Sequence, residues 1–116
     1  MTNKELKYLE DIFNVISDME VSIGIERKFE SFNNNKTLRY AVERQFEIIG
    51  EAAKNFKNLN TEVEISNVKE IIGLRNLIAH AYDSVDYEKL WAIVINHIPK
   101  LKVEIEGLIK KYENEN

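Results

Sequence analysis

Four residues of this chain carry side chains able to move protons or hold charge at a fixed helical spacing: Arg75, Asn76, His80 and Tyr82, written R-N-x-x-x-H-x-Y. On an α-helix at about 100° per residue, with Arg75 as zero, Tyr82 falls at about −20°, Asn76 at about 100° and His80 at about 140°. They share one arc of about 160°, with small Ala79 in its middle at about 40°. Ile71, Leu74, Leu77, Ile78 and Ala81 take the opposite side, between about 200° and 320°. One helix is thus expected to bury an apolar face and to present a cation, an amide, an imidazole and a phenol on the other.

Each group has a distinct capability. An imidazole titrates closest to neutral pH, so His80 can accept and return a proton. The fork of Arg75 fits phosphate oxygens and is permanently charged. Asn76, about one turn before His80, can orient the imidazole or bind a substrate group. Tyr82 carries a nucleophilic hydroxyl. No carboxylate pair or His/Asp/Glu cluster at this place has metal-ligand spacing, so no metal and no cofactor are expected. A histidine base with an arginine clamp suits attack of a ribose 2′-hydroxyl on its own phosphate, which cuts RNA without a metal.

One histidine is a thin catalytic set, and Ile72, at about 60° on the polar arc, is awkward for a solvated surface. Both points are eased if the arc faces a second copy across a two-fold axis. Ile72 and Ala79 then line a dimer cleft that holds two Arg75 and two His80. The plainer alternative is a solvated helix face without chemistry, and the spacing alone leaves it open. His97 and Trp91 are read as structural residues.

The elements that must position this segment are all helical. Apolar residues recur every three or four positions, with one proline, four glycines and no alternating stretch. The fold class expected is all-α, an antiparallel four- to five-helix bundle forming one domain over residues 1–116. Helix one is expected from about Lys4 to Ile23, ended by Gly24; residues 25–36 form a connection with room for a helical turn, from which Phe29 and Phe32 dock. Helix two runs from about Thr37 to Phe56, where Gly50, Ala52 and Ala53 would let another helix come close; a merely tolerated Gly50 is the alternative. A polar loop over 57–66 precedes helix three, about Asn67 to Tyr82, opened by an Asn67–Glu70 capping pair. Helix four starts after the N-cap Asp86, with Val85 and Leu90 as a staple, and Pro99 kinks or breaks it. The tail, about 110–116, is expected to fray.

Composition narrows the function classes. The chain has 44% hydrophobic and 31% charged residues and a net charge of −4. That balance argues against a long phosphate-binding groove, and no DNA partner is expected. There is no cysteine, so disulfides and thiolate metal sites are excluded. No apolar run reaches the roughly 20 residues of a membrane span, and the start is charged and amphipathic rather than signal-like. A cytoplasmic protein without a membrane partner is expected.

The segment Arg75 to Tyr82 resembles the R-x4-H-x-Y motif of the HepT-like toxins of the HEPN superfamily. Phe46-Glu47-Ile48-Ile49-Gly50-Glu51-Ala52-Ala53 is similar to that family's second-helix signature. Ile71-Ile72-Gly73-Leu74 and Val85-Asp86-Tyr87-Glu88-Lys89-Leu90-Trp91 flank the motif in the same way, and Tyr8-Leu9-Glu10-Asp11-Ile12 extends the likeness across nearly the whole chain. The resemblance implies a helical homodimer with facing motifs and a metal-independent endoribonuclease of a toxin–antitoxin pair, with RNA as substrate. By it His80 is the general acid/base, Arg75 the phosphate and transition-state ligand, and Asn76 the orienting residue. It also implies an MntA-like nucleotidyltransferase antitoxin that transfers AMP to Tyr82. Asp83 adds a carboxylate of unassigned role beside the motif. Two further readings stand beside this one: a non-catalytic nucleotide- or substrate-binding partner subunit of a nucleotidyltransferase, and an interaction module with a vestigial motif.

Overall fold

Capping and apolar spacing set the helices one by one. The computed structural model describes residues 1–80 and 85–115, and their side chains except those of Leu77, Ala79 and His80. Helix α1, Asn3–Ile23, opens with a capping box: Thr2 accepts from Glu5 N, and the Glu5 carboxylate accepts from Thr2 N. Its stripe Leu9, Ile12, Ile16 and Met19 is fully buried, and Gly24 ends it at φ 69°. The one-turn α2, Phe29–Asn33, inserts Phe32 into the core, stacked on Trp91 with ring centroids 4.9 Å apart. Phe29 packs on the same core from a partly buried position.

Helix α3, Lys36–Leu59, is capped by Asn35 accepting from Leu38 N at 3.0 Å. It outlasts the boundary expected near Phe56 by three residues, and an Asx turn then reverses the chain: Asn60 Oδ1 accepts from both Glu62 N and Val63 N. Helix α4, Val68–His80, packs chiefly along α3. Its start is held differently from the expected capping pair. Asn67 takes a left-handed φ of 60°, away from the extended backbone of a side-chain cap. The junction is tied instead by Glu104, which accepts from Ser66 N at 2.8 Å and from the Ser66 hydroxyl.

Helix α5, Tyr87–Asn96, has the expected N-cap, Asp86 accepting from Lys89 N at 3.1 Å. Pro99 does more than kink the next run. Helix α5 stops, His97 caps it, and α6 starts anew at Ile98 and runs to Glu115. Proline is tolerated in a first turn because N–H groups there lack intrahelical acceptors. The fraying expected over 110–116 does not begin at 110, because Tyr112 is buried and its hydroxyl accepts from Asn60 Nδ2. The architecture is therefore an all-helical bundle of six helices among the described residues, with the expected fourth helix divided in two and α2 as the helical turn of the 25–36 connection. No helix of the described residues is long and apolar enough to cross a membrane.

Candidate active site

Helix α4 carries the motif, and glycine at position 50 of α3 lets it come close. A Cβ built on Gly50 would lie 2.4 Å from Arg75 Cβ and 2.8 Å from its Cγ, nearer than real atoms approach. Gly50 therefore does more than tolerate its helix. It forgoes about 1 kcal/mol of helix propensity relative to alanine and makes room for the arginine stem.

The expected polar arc is only partly a solvent face. Arg75 lies between α3 and α4 with its side chain 27% exposed. Its Nη1 donates to Asn76 Oδ1 at 2.8 Å, and its Nη2 stands 2.9 Å from Glu51 Oε2. That oxygen is itself buried and meets Nη2 as a charge contact rather than an aligned hydrogen bond. The Arg75 Nε is buried with no acceptor among the described residues. Asn76 is exposed, and its carbonyl serves Arg75; its NH2 group has no partner among the described residues.

The spacing missed Glu51. A signal was present: a carboxylate beside a glycine on a close-packed helix face stands opposite whatever crosses there, and here that is a cation. The backbone places His80 at the last residue of α4, about 7.5 Å along the axis from Arg75 at about 1.5 Å per residue. Ala79 precedes it on the same helix. Ile72 is half-buried yet absent from the side chains packed on the core. Tyr82 and Asp83 lie outside the described residues.

The apolar side of α4 departs from the expected full burial. Ile78 is buried at 5% exposure, whereas Ile71 and Leu74 are half-buried. They wall a cleft of about 730 Å³ completed by Ile93, His97 and Leu101, to which Arg75 and Asn76 do not contribute. The cleft exists because α4 leans on α3 and stands off α5 and α6. His97, exposed at the cleft, is the C-cap of α5, and Trp91 packs on the core as expected.

A second charged group lies farther back along α3. Tyr87 donates to Glu43 Oε1 at 3.3 Å, and the Arg39 guanidinium sits 5.0 Å from the centre of the Tyr87 ring. Burial pushes the Glu43 carboxyl above its ordinary value, against the opposing pull of the Tyr87 hydrogen bond and Arg39. Burial likewise raises the Tyr87 phenol, and the Glu43 charge adds to it.

Comparison with known proteins places this arrangement in a family. Residues 5–108 match the HepT-like family, described as Ribonuclease HepT-like. A Methanocaldococcus jannaschii protein named "Putative RNase MJ1380" is 40% identical over 91% of this chain and 98% of its own. Another from that organism, "Putative RNase MJ1216", is 37% identical over 96% of this chain and 86% of its own. A Thermococcus cleftensis protein named "Probable ribonuclease HepT" is 40% identical over 95% of this chain and all of its own. No solved structure matches the chain. With the family match spanning α1 to α6 and the motif arginine seated on α3, the chain belongs to the HepT-like family of the HEPN superfamily.

Proposed function

We propose that the protein is an endoribonuclease that cuts RNA without a metal, acting as the toxin of a toxin–antitoxin pair. The observation that carries this reading is Arg75, a cation immobilised by Asn76 and Glu51 on the helix that also bears His80, in a chain whose relatives carry ribonuclease names. Each terminal nitrogen of Arg75 keeps one N–H beyond the contacts described, enough to take a phosphate oxygen.

In the proposed reaction His80 removes the proton of a ribose 2′-hydroxyl. The 2′-oxygen bonds to the neighbouring phosphorus and the bond from phosphorus to the 5′-oxygen breaks. The departing oxygen takes a proton from the partner's His80, leaving a 2′,3′-cyclic phosphate and a free 5′-hydroxyl. Arg75 holds the phosphate and offsets charge as it builds on the oxygens. This chemistry needs two imidazoles, which a homodimer meeting at the motif, with Ile72 and Ala79 in its cleft, supplies. An adjacent nucleotidyltransferase antitoxin would transfer AMP to Tyr82. The added bulk and negative charge beside Arg75 would close the cleft to RNA phosphates.

The test is expression alone, followed by incubation of the purified protein with RNA in excess chelator. Growth arrest and cyclic-phosphate ends are expected from the natural sequence, and both are lost in His80→Ala with its helical circular dichroism unchanged. Equal toxicity of His80→Ala would remove the catalytic assignment. Absence of arrest with tight binding to the nucleotidyltransferase would favour the non-catalytic partner subunit.

A further inference from the structure

We propose that Glu51 is a positioning residue for Arg75, and that its negative charge sets both the pose of the guanidinium and its appetite for RNA phosphate. The inference rests on the RNA-cleaving reading above and deepens it.

An arginine head on a flexible stem samples many poses unless contacts restrict it. Here the stem is wedged over Gly50, which has no side chain to fill the space, and the Nε–H is buried without an acceptor among the described residues. A buried N–H lacking a partner disfavours the pose it occupies. The pose therefore depends on the far end of the head, where only two contacts are found among the described residues: Asn76 Oδ1 on Nη1 and Glu51 Oε2 near Nη2. Asn76 belongs to the same helix and moves with it. Glu51 belongs to α3, so among the described residues it is the contact that references the guanidinium to the rest of the bundle.

The Glu51 contact is an attraction between charges, because Oε2 lies near Nη2 without hydrogen-bond alignment. Charge, more than shape, is what holds. Its side chain is 47% exposed, so the pair sits at the rim, where a phosphate can share the cation. The carboxylate then has two opposed effects on RNA. It aims Arg75, which favours the reaction step, and it partly neutralises Arg75, which weakens ground-state binding.

That opposition yields an unusual signature. Glu51→Gln keeps the size and removes the charge. We expect its kcat to fall about tenfold as the guanidinium loses its aim. Affinity for a 2′-deoxy-substituted oligonucleotide, which binds without being cut, should rise about threefold and depend more steeply on salt. Glu51→Asp, which restores the charge on a shorter stem, should recover part of kcat and return the affinity toward the natural value. Thermal unfolding of both variants should stay close to that of the natural sequence.

A Glu51→Gln protein with unchanged kcat, or with kcat and affinity falling together, overturns the inference; the second pattern marks a merely structural residue. These outcomes are separate from failure of the parent reading. If the natural sequence does not cleave RNA at all, the nuclease reading falls and the inference with it; if Arg75→Ala cleaves as fast as the natural sequence, the role assigned to Arg75 falls, and the inference with that. If Arg75→Ala is inactive while Glu51→Gln is indifferent, the inference falls alone.

Discussion

A single missing methyl group decides how the motif arginine sits. Gly50 is where α4 touches α3, and the atoms it would meet are the root of a side chain, Arg75 Cβ and Cγ, rather than a flexible tip. Gly50→Ala gains about 1 kcal/mol of helix propensity. It also overpacks a junction where relief requires α4 to move, at a cost of about 1–3 kcal/mol. The net effect expected is a lower urea midpoint with an unchanged slope, and a loss of RNA cleavage larger than the loss of stability implies. Equilibrium unfolding and cleavage rates measured on one preparation check both parts. An Arg75 stem this confined also explains why lysine would be a poor replacement, since a point charge cannot address Asn76 and Glu51 at once.

Helix α3 acts as the ruler for the site. Glu43, Glu47 and Glu51, each half-buried, follow at four-residue intervals, which puts them in one row. Glu51 is spent on Arg75, and Glu43 accepts from Tyr87 at the start of α5. The raised Glu43 carboxyl has a pH consequence. Because its folded value lies above the ordinary one, protonation favours the folded state, and this contribution is complete below the ordinary carboxylate value. It is lost as pH rises through the raised folded value; above that, the part-buried carboxylate is a constant burden. Glu43→Gln, which keeps an acceptor for Tyr87, should therefore raise the melting temperature at neutral pH by a degree or so and have little effect near about pH 4. Melting curves across that range show whether the difference grows with pH. The start of α4 is set at the same scale by Ser66 on Glu104, which fixes where the motif helix begins.

At the scale of the molecule, α4 has one main packing partner among the described residues. It is laid against α3, tied to α6 through Ser66 just ahead of its first residue, and separated from α5 and α6 by an apolar cleft. Ile72, half-buried but not packed on the core, points to the outer side of that helix as the proposed contact between two copies. If the copies meet there, Ile72→Glu should place like charges across a two-fold axis and split the dimer. Light scattering at micromolar concentration is expected to show a dimer for the natural sequence and a monomer for Ile72→Glu. RNA cleavage should be lost with the dimer, because each proposed cleft draws on both chains. A natural sequence that is monomeric throughout would end the shared-cleft mechanism.

The helices were legible in the amino-acid order because their determinants are local. The stripes of α1 and α3, the cap Asp86, and the stops at Gly24 and Pro99 act within a few residues of one another. The motif's grouping of Arg75, Asn76 and His80 is likewise a property of one helix and its period. What lay beyond that period was decided by packing. The approach of α4 to Gly50, the pairing of Arg75 with Glu51, the hold of Glu104 on Ser66 and the burial of Tyr112 against Asn60 each join residues far apart in the chain. Periodicity tells which side of a helix is apolar, but only the assembled bundle brings a carboxylate on one helix within reach of a guanidinium on another.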